Sequence, residues 1–329
     1  MTADPAQAPE GVSVILIAKN AAKTVPDLLK SLSGFLRDND EVIVVDTGST
    51  DGTPEIFEEY TWYQYTMVYR SPQVIRRPDL NVPGMLDLVK KYLPDEAQKC
   101  AEDPQFQDGF LADFAAARQI GTDAAKNDLV FWIDTDDVLE GGALLRQRID
   151  QHFQNGEHRP LFLAYDYSFD SDGACNTTLW RERICRKSQY RWAGVCHESM
   201  IPKSGQVTEV VRISPDEARI SHKHGRHHIY SDIRNYAILR NAHETAEWKD
   251  PRWEFYLGNA CRGLKRWQES IDWYTRVLQR SGSQDDRLAC ALNIGFAFLL
   301  FGRPWRGLDW FFQAAKIDTR DPRPFYGMA

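Results

Sequence analysis

The chain lacks the features that mark several classes of function. It has no excess of positive charge: 40 Lys and Arg stand against 47 Asp and Glu, a formal net charge of −7. A general nucleic-acid or anionic-membrane binder needs a basic surface, so that class is excluded. There is no long apolar run either. The longest, from about Ala289 to Phe301, is broken by Asn293 and falls short of the roughly 18–20 residues of a membrane span. The six cysteines (100, 175, 185, 196, 261 and 290) contain no C-x-x-C pair and no zinc-ligand spacing. The stretch from Met1 to Gly11 has no basic region followed by an apolar one, so it does not read as a secretory leader. Scattered thiols and no leader give a cytoplasmic location as the expectation. Absent too are G-x-x-x-x-G-K-[ST] and G-x-G-x-x-G, and both His197-Glu198 and His243-Glu244 lack the second His of H-E-x-x-H. P-loop, dinucleotide-binding and zinc-protease readings lose their support.

What is present is ordinary in bulk and uneven in detail. At 329 residues, with 43% hydrophobic and 26% charged side chains, the chain suits a soluble globular protein of two domains. Residues 231–329 hold 15 basic and 12 acidic side chains, net +3, which leaves −10 on residues 1–230. An acidic segment that meets a phosphate-bearing ligand needs a cation between them.

Val12 to Ala18 reads V-S-V-I-L-I-A, nearly all apolar without alternation. Such a run predicts a strand covered on both faces, hence a parallel sheet. Val25, Leu28, Leu29, Leu32 and Phe35 then follow at helical spacing, with Pro26 in the first turn. A second buried strand, Val42 to Val45, ends at Asp46, which completes a βαβ unit. Ligands of such sheets sit beyond the carboxyl ends of the strands. Residues 47–53 form a loop of turn formers, and about 60–110 reads as an insertion. Helical pattern returns from Phe110 to Ala125. A third buried strand, Leu129 to Ile133, leads into Asp134-Thr135-Asp136-Asp137. After a helix at 141–153 come short strands at about 160–168, 177–186, 207–213 and 218–223. The boundary is placed near His228.

Beyond it a repeat appears at an offset of 37. Gly258, Cys261, Lys265, Ser270, Ile271, Trp273 and Tyr274 map onto Gly295, Phe298, Gly302, Gly307, Leu308, Trp310 and Phe311. The spacing loosely resembles the tetratricopeptide repeat. Pro324 to Gly327 starts a third, truncated unit.

Asp134-x-Asp136 closes a buried strand, where carboxylates two apart point to one side and can hold a hard divalent cation. Asp46 also follows a buried strand and should reach the same rim. A turn or helix-capping role is the alternative for any single D-x-D.

Four blocks then carry a resemblance: V-I-L-I-A-K-N at 14–20, V-V-D-T-G-S-T-D-G-T at 44–53, D-F-A-A-A-R at 113–118 and F-W-I-D-T-D-D at 131–137. Together, in this order, they resemble family 2 glycosyltransferases of the GT-A fold. The resemblance implies an α/β domain, a Rossmann-like mixed sheet with helices on both faces, over 1–228, followed by an all-α helical-repeat domain over 229–329. It implies an inverting transferase of hexosyltransferase type, a nucleotide-diphosphate sugar donor (UDP-sugar by family custom), and Mn²⁺ or Mg²⁺ as cofactor. Carried over residue by residue, Ala18, Lys19 and Asn20 border the base and ribose, and Asp46 contacts the nucleoside. Many relatives have a second Asp where this chain has Thr47. Arg118 is a donor-side contact, followed by Gln119 where the family has Asn. Asp136 is the direct metal ligand, Asp134 lies on the ribose or the metal's water, and Thr135 between them joins the donor contacts.

Two later segments supply the remaining roles. Gly194-Val195-Cys196-His197-Glu198 resembles the G-x-x-H-E block of some bacterial members, which makes Glu198 the candidate base and His197 its orienting partner or a substrate contact. His222 and His224 follow a strand two residues apart, and some GT-A enzymes recruit a late His as a metal ligand. His222 is the first choice and His224 the second. Catalytic domain plus repeats looks most like bacterial or phage enzymes, including peptide S-glycosyltransferases. The repeats then serve homodimerisation or acceptor docking, and a protein or peptide is the first acceptor expected. A saccharide is second and a modified nucleic-acid base third. A different class also fits: a nucleotide-sugar-binding scaffold that acts through its repeats and transfers nothing.

Overall fold

An apolar run without alternation needs cover on both sides, and the first strands find it. β1 (Val12–Ala18) pairs in parallel with β2 (Glu41–Asp46) on one side and with β6 (Leu129–Trp132) on the other. The computed structural model describes residues 10–61, 71–82, 84–102, 106, 109–206, 209–223, 229–247, 250 and 252–328. Side chains alternate across this sheet. Val14, Leu16, Val42, Val44, Leu129 and Phe131 join one core with Leu28, Leu29 and Leu32 of helix α1 (Val25–Leu32). Ile15, Ile43, Val130 and Trp132 join a second core on the opposite face. The sheet therefore needs helices on both faces, as expected.

Around β2, helix α2 (Thr53–Glu59) leads to β3 (Gln73–Arg76), which extends the parallel part of the sheet. Two very short strands, β4 (Asn81–Val82) and β5 (Phe110–Leu111), flank helices α3 (Met85–Tyr92) and α4 (Pro94–Ala101). The second face of the sheet is covered by α5 (Phe114–Ala124). β7 (Asp137–Glu140) and helix α6 (Gly142–His152) follow β6. Then come the long strands β8 (Leu161–Phe169) and β9 (Cys175–Arg186), the antiparallel pair β10 (Tyr190–Ala193) and β11 (Ser199–Pro202), and short β12 (Val211–Arg212) and β13 (Arg219–His222). The order in the main sheet is β3-β2-β1-β6-β9-β8-β13-β7, with β12 beside β8. β9 runs antiparallel to both β6 and β8, so the sheet is mixed. This is the α/β architecture of the GT-A resemblance, followed by an all-α part.

The strands read at about 160–168, 177–186 and 218–223 are present as β8, β9 and β13. Of the stretch 207–213, Val211–Arg212 forms β12, and residues 207 and 208 lie outside the described residues. Sequence patterning missed β7 and the β10–β11 pair. Four-residue strands at a sheet margin carry too few side chains to set up a period.

By contact the chain forms two units. The first holds residues 1–81, 113–193 and 198–226; the second holds 82–112, 194–197 and 227–329. Residues 82–112, the latter part of the stretch read as an insertion, thus group with the helices. Among the described residues no helix is long and apolar enough to cross a membrane.

The helical unit contains α7 (Ile229–Thr245), α8 (Arg252–Gly263), α9 (Trp267–Arg280), α10 (Gln284–Leu300), α11 (Pro304–Ile317) and α12 (Arg323–Met328). The offset of 37 recurs in contacts. A Cβ on Gly258 would lie 2.6 Å from the Tyr274 ring, and one on Gly295 would lie 2.6 Å from the Phe311 ring. Lys265 and its counterpart Gly302 both adopt left-handed backbone, with φ of 59° and 74°. Helix pairs that bring backbone against an aromatic ring in this way must have Gly at the contact. Two substitutions test the equivalence. Gly295→Val should lower stability by about 3 kcal/mol, the scale of overpacking a core, because the fully buried Phe311 cannot retreat. Lys265→Gly should raise it by about 0.5–1 kcal/mol by relieving left-handed strain. Urea midpoints of both variants measure this, and a neutral Gly295→Val would show that the two pairs are not packed alike.

Candidate functional site

Parallel pairing of β2, β1 and β6 brings their carboxyl ends to one edge of the sheet. Asp46 ends β2 beside Ala18, the last residue of β1. Asp46 is buried and accepts the backbone N–H of Gly48 at 3.1 Å and of Ser49, and the Ser49 hydroxyl at 2.5 Å. It thereby closes the loop that follows it. Asn20, with φ of 51°, braces the same loop: its Oδ1 accepts from Thr50 N–H at 2.8 Å and its own N–H donates to Ser49 Oγ at 2.9 Å. Thr47 is buried and donates from its backbone and its hydroxyl to the Ala18 carbonyl.

Arg118 comes from α5, whose first turn is capped by the Asp113 carboxylate accepting from Ala116 N–H at 2.8 Å. That cap replaces one of the donors a helix start leaves unpaired. The Arg118 guanidinium lies over the rings of Trp132 and Trp192, 4.6 and 5.2 Å from their centroids. From there Nε donates to Glu198 Oε1 at 2.6 Å and Nη2 donates to Asp134 Oδ1 at 2.5 Å. Its third nitrogen, Nη1, is buried with no partner among the described residues. Burial opposes ionisation of Asp134, yet Arg118 and then Arg183 outweigh it and hold its carboxyl down at about 2.

The other carboxylates of the loop turn elsewhere. Asp136, Asp137 and His222 offer ligand atoms that all lie within 4.8 Å of one another. β13 pairs with β7 so that His222 stands opposite Asp137. His222 Nδ1 is 3.1 Å from Asp137 Oδ1 and 3.7 Å from Asp136 Oδ1. Asp137 is almost fully buried and also meets Tyr165 and Arg183. Burial raises the Asp136 carboxyl to about 6, with Asp134 and Asp137 adding to the rise and His222 opposing it. Two carboxyls and an imidazole this close, with Asp136 partly exposed, form a donor set that suits Mn²⁺ or Mg²⁺.

Of the four metal ligands expected, then, Asp136 and His222 come together. Asp134 is engaged by Arg118 instead, and His224 lies outside the described residues. Glu198 reaches Asp134 through the shared guanidinium. His197, with φ of 54°, belongs to the helical unit, where its ring stacks on Tyr256 at 4.0 Å. Sequence reasoning overlooked Asp137, Tyr165 and Arg183. Asp137 was visible as the fourth residue of D-T-D-D; the other two sit inside strands, where nothing in spacing distinguishes them.

Residues 13–75, from β1 into β3, match the family described as Glycosyl transferase family 2. No curated protein sequence matches the chain. Among solved structures, residues 1–349 of S. aureus TarS in complex with UDP-GlcNAc are similar at 14% identity and a TM-score of 0.46, covering 93% of this chain and 91% of that one. The mannosyltransferase PcManGT from Pyrobaculum calidifontis, in complex with GDP-Man and Mn²⁺, is similar at 15% identity and a TM-score of 0.42, over 97% of this chain and 89% of that one.

The Arg118 contacts make a stability prediction. Arg118→Ala leaves two carboxylates without their cation and should cost about 3–5 kcal/mol, as for other broken buried pairs. Arg118→Lys should fall between, because a point charge cannot serve both partners as a planar fork does. Urea denaturation reads the difference, and an Arg118→Ala protein within about 1 kcal/mol of the parent would mean the pairs contribute little.

Proposed function

We propose that this chain is an inverting glycosyltransferase that moves a sugar from a nucleotide-diphosphate sugar, a UDP-sugar first, to an acceptor. The observation that carries the reading is the gathering of Asp136, Asp137 and His222 at the carboxyl edge of the parallel strands, next to the segment that matches Glycosyl transferase family 2. A bound Mn²⁺ or Mg²⁺ would neutralise the charge that grows on the departing diphosphate.

Each remaining part falls to this chain's own groups. Ala18, Lys19, Asn20 and Asp46 border the nucleoside, and Asp46 acts there partly by holding the 47–50 loop in shape. Thr135 joins the donor contacts. Arg118, by engaging Asp134, fixes the loop that carries the cation ligands, and Asp134 stays ionised. Inversion requires the acceptor oxygen, nitrogen or sulfur to attack the anomeric carbon opposite the breaking C–O bond, and its proton must leave. Glu198 takes that proton in this proposal. One of its oxygens already accepts from Arg118, so the proton goes to the other. His197, whose ring stacks on Tyr256, stands beside Glu198 as an orienting partner or a substrate contact. His224 stands as the second-choice ligand behind His222. The helical pairs, read as tetratricopeptide-like repeats, hold a protein or peptide acceptor or a second copy of the chain.

A thermal-shift panel of nucleotide sugars tests the reading. Ligands that bind only the folded state stabilise it by mass action, by about 2.7 kcal/mol at a hundred times Kd, and so raise the melting temperature. One donor should stand out, and only with Mn²⁺ or Mg²⁺ present. Asp136→Ala and His222→Ala should each erase the cation-dependent part and the slow hydrolysis of that donor. No response to any nucleotide sugar, with or without cation, would sink the proposal. Cation-dependent binding with no transfer or hydrolysis would instead identify a binding scaffold.

A further inference from the structure

The three acidic and basic groups around His222 do not have equal freedom to meet a cation. Asp137 Oδ1 lies 3.1 Å from the Tyr165 hydroxyl and 3.1 Å from His222 Nδ1. Its Oδ2 lies 3.2 Å from the Asp134 backbone N–H and 3.4 Å from Arg183 Nη2. An ionised carboxylate accepts at about four lone-pair sites, and Asp137 has four donors around it. Its side chain is 0% exposed, as is that of Arg183, whereas Asp136 is 36% exposed and His222 16%. Among the described residues Asp136 has no comparable set of donors.

The same contacts decide the proton on His222. If Nδ1 were bare, its lone pair would face the Asp137 oxygen at 3.1 Å, and Tyr165 could satisfy only one of the two. With Nδ1 protonated, the ring donates to Asp137 and Tyr165 donates to Asp137 as well. Every contact is then favourable, and the lone pair of the ring resides on Nε2. Tyr167 stacks flat on the imidazole, 5.6 Å between centroids at 10°, which limits tilting of the ring.

We propose that Asp137 is a positioning residue and not a cation ligand: it holds His222 in the Nδ1-protonated form, so that Nε2 is the nitrogen offered to a divalent cation, with Asp136 as the carboxylate ligand. Arg183 neutralises Asp137 and keeps it from competing for the cation. This rests on the cation-binding reading above and specifies how the site would be built. It follows the general pattern in which a ligating imidazole donates its other N–H to a carboxylate.

The test uses the full chain labelled with ¹⁵N-histidine, the resonances of His222 being assigned by their loss in His222→Gln. In the metal-free protein, long-range ¹H–¹⁵N correlation should show the proton on Nδ1, and Mg²⁺ or Zn²⁺ should then shift the Nε2 resonance. A proton on Nε2, or a response at Nδ1, overturns the assignment. In parallel, Mn²⁺ affinity is measured by calorimetry. Asp137→Asn should weaken it by roughly ten- to a hundredfold, the range for such outer partners, and Asp136→Asn should weaken it more. Equal losses in the two variants, or none in Asp137→Asn, count against the positioning role. If the parent protein binds no Mn²⁺ at all, the cation reading fails, while the tautomer still reports on Asp137 separately.

Discussion

A guanidinium cannot lose its charge inside a protein, so burying Arg118 obliges the fold to supply anions. The chain answers with two, Asp134 and Glu198, that lie 64 residues apart in sequence. The planar fork of Arg can serve both at once, and two indole rings accept its faces. The result is a junction of α5, the loop after β6 and the start of β11. The junction takes a large desolvation cost, since buried ion pairs seldom exceed their own penalty by much. Its contribution is geometrical, in that the loop bearing Asp134, Asp136 and Asp137 has one end fixed.

Three carboxylates within four residues repel one another, and the structure resolves this by giving each a different neighbour. Asp134 faces Arg118, Asp137 faces Arg183, and Asp136 is left with His222. The consequences differ in sign. Asp134 is held down at about 2 because its guanidinium partner outweighs burial, whereas Asp136 is raised to about 6 because burial meets no full cation. Environments that drive neighbouring carboxyls apart in this way are a frequent mark of functional sites. The excess negative charge is concentrated on Asp136, the carboxylate with the most exposed side chain of the three, which is where an incoming cation would meet it.

Much of this was legible from residue order alone. Nearly continuous apolar runs at Val12–Ala18 and Leu129–Ile133 mark buried strands, and the acidic residues after them mark the candidate functional edge. Asp136 and His222, both candidates on sequence, come within 3.7 Å of each other. What stayed hidden depended on long-range pairing. Tyr165 and Arg183 lie on β8 and β9, where alternation marks a face without saying what stands opposite. Asp137 meets His222 only when β13 folds back beside β7. The Arg118 junction was equally invisible, because its two carboxylates belong to separate motifs and nothing in either predicts a shared cation. The expectation that Asp134 and Asp136 point to one side rests on strand alternation. β6 ends at Trp132, so strand alternation does not extend to Asp134 and Asp136, and the two side chains take different partners.

The helical unit shows the opposite balance, with packing more predictable than chemistry. The offset of 37 maps Gly258 onto Gly295 and Tyr274 onto Phe311, and in the structure each glycine lies against its aromatic ring. Local helical contacts are near in sequence and repeat, so periodicity captures them. The same repetition dilutes functional signal, since a side chain kept for packing recurs in every pair and a side chain kept for binding need not. Lys265 illustrates the limit. It sits in left-handed backbone where its counterpart is Gly302, because each closes its helix there, with Arg266 N–H on the Cys261 carbonyl and Arg303 N–H on that of Phe298, so the conformation recurs where the residue type does not.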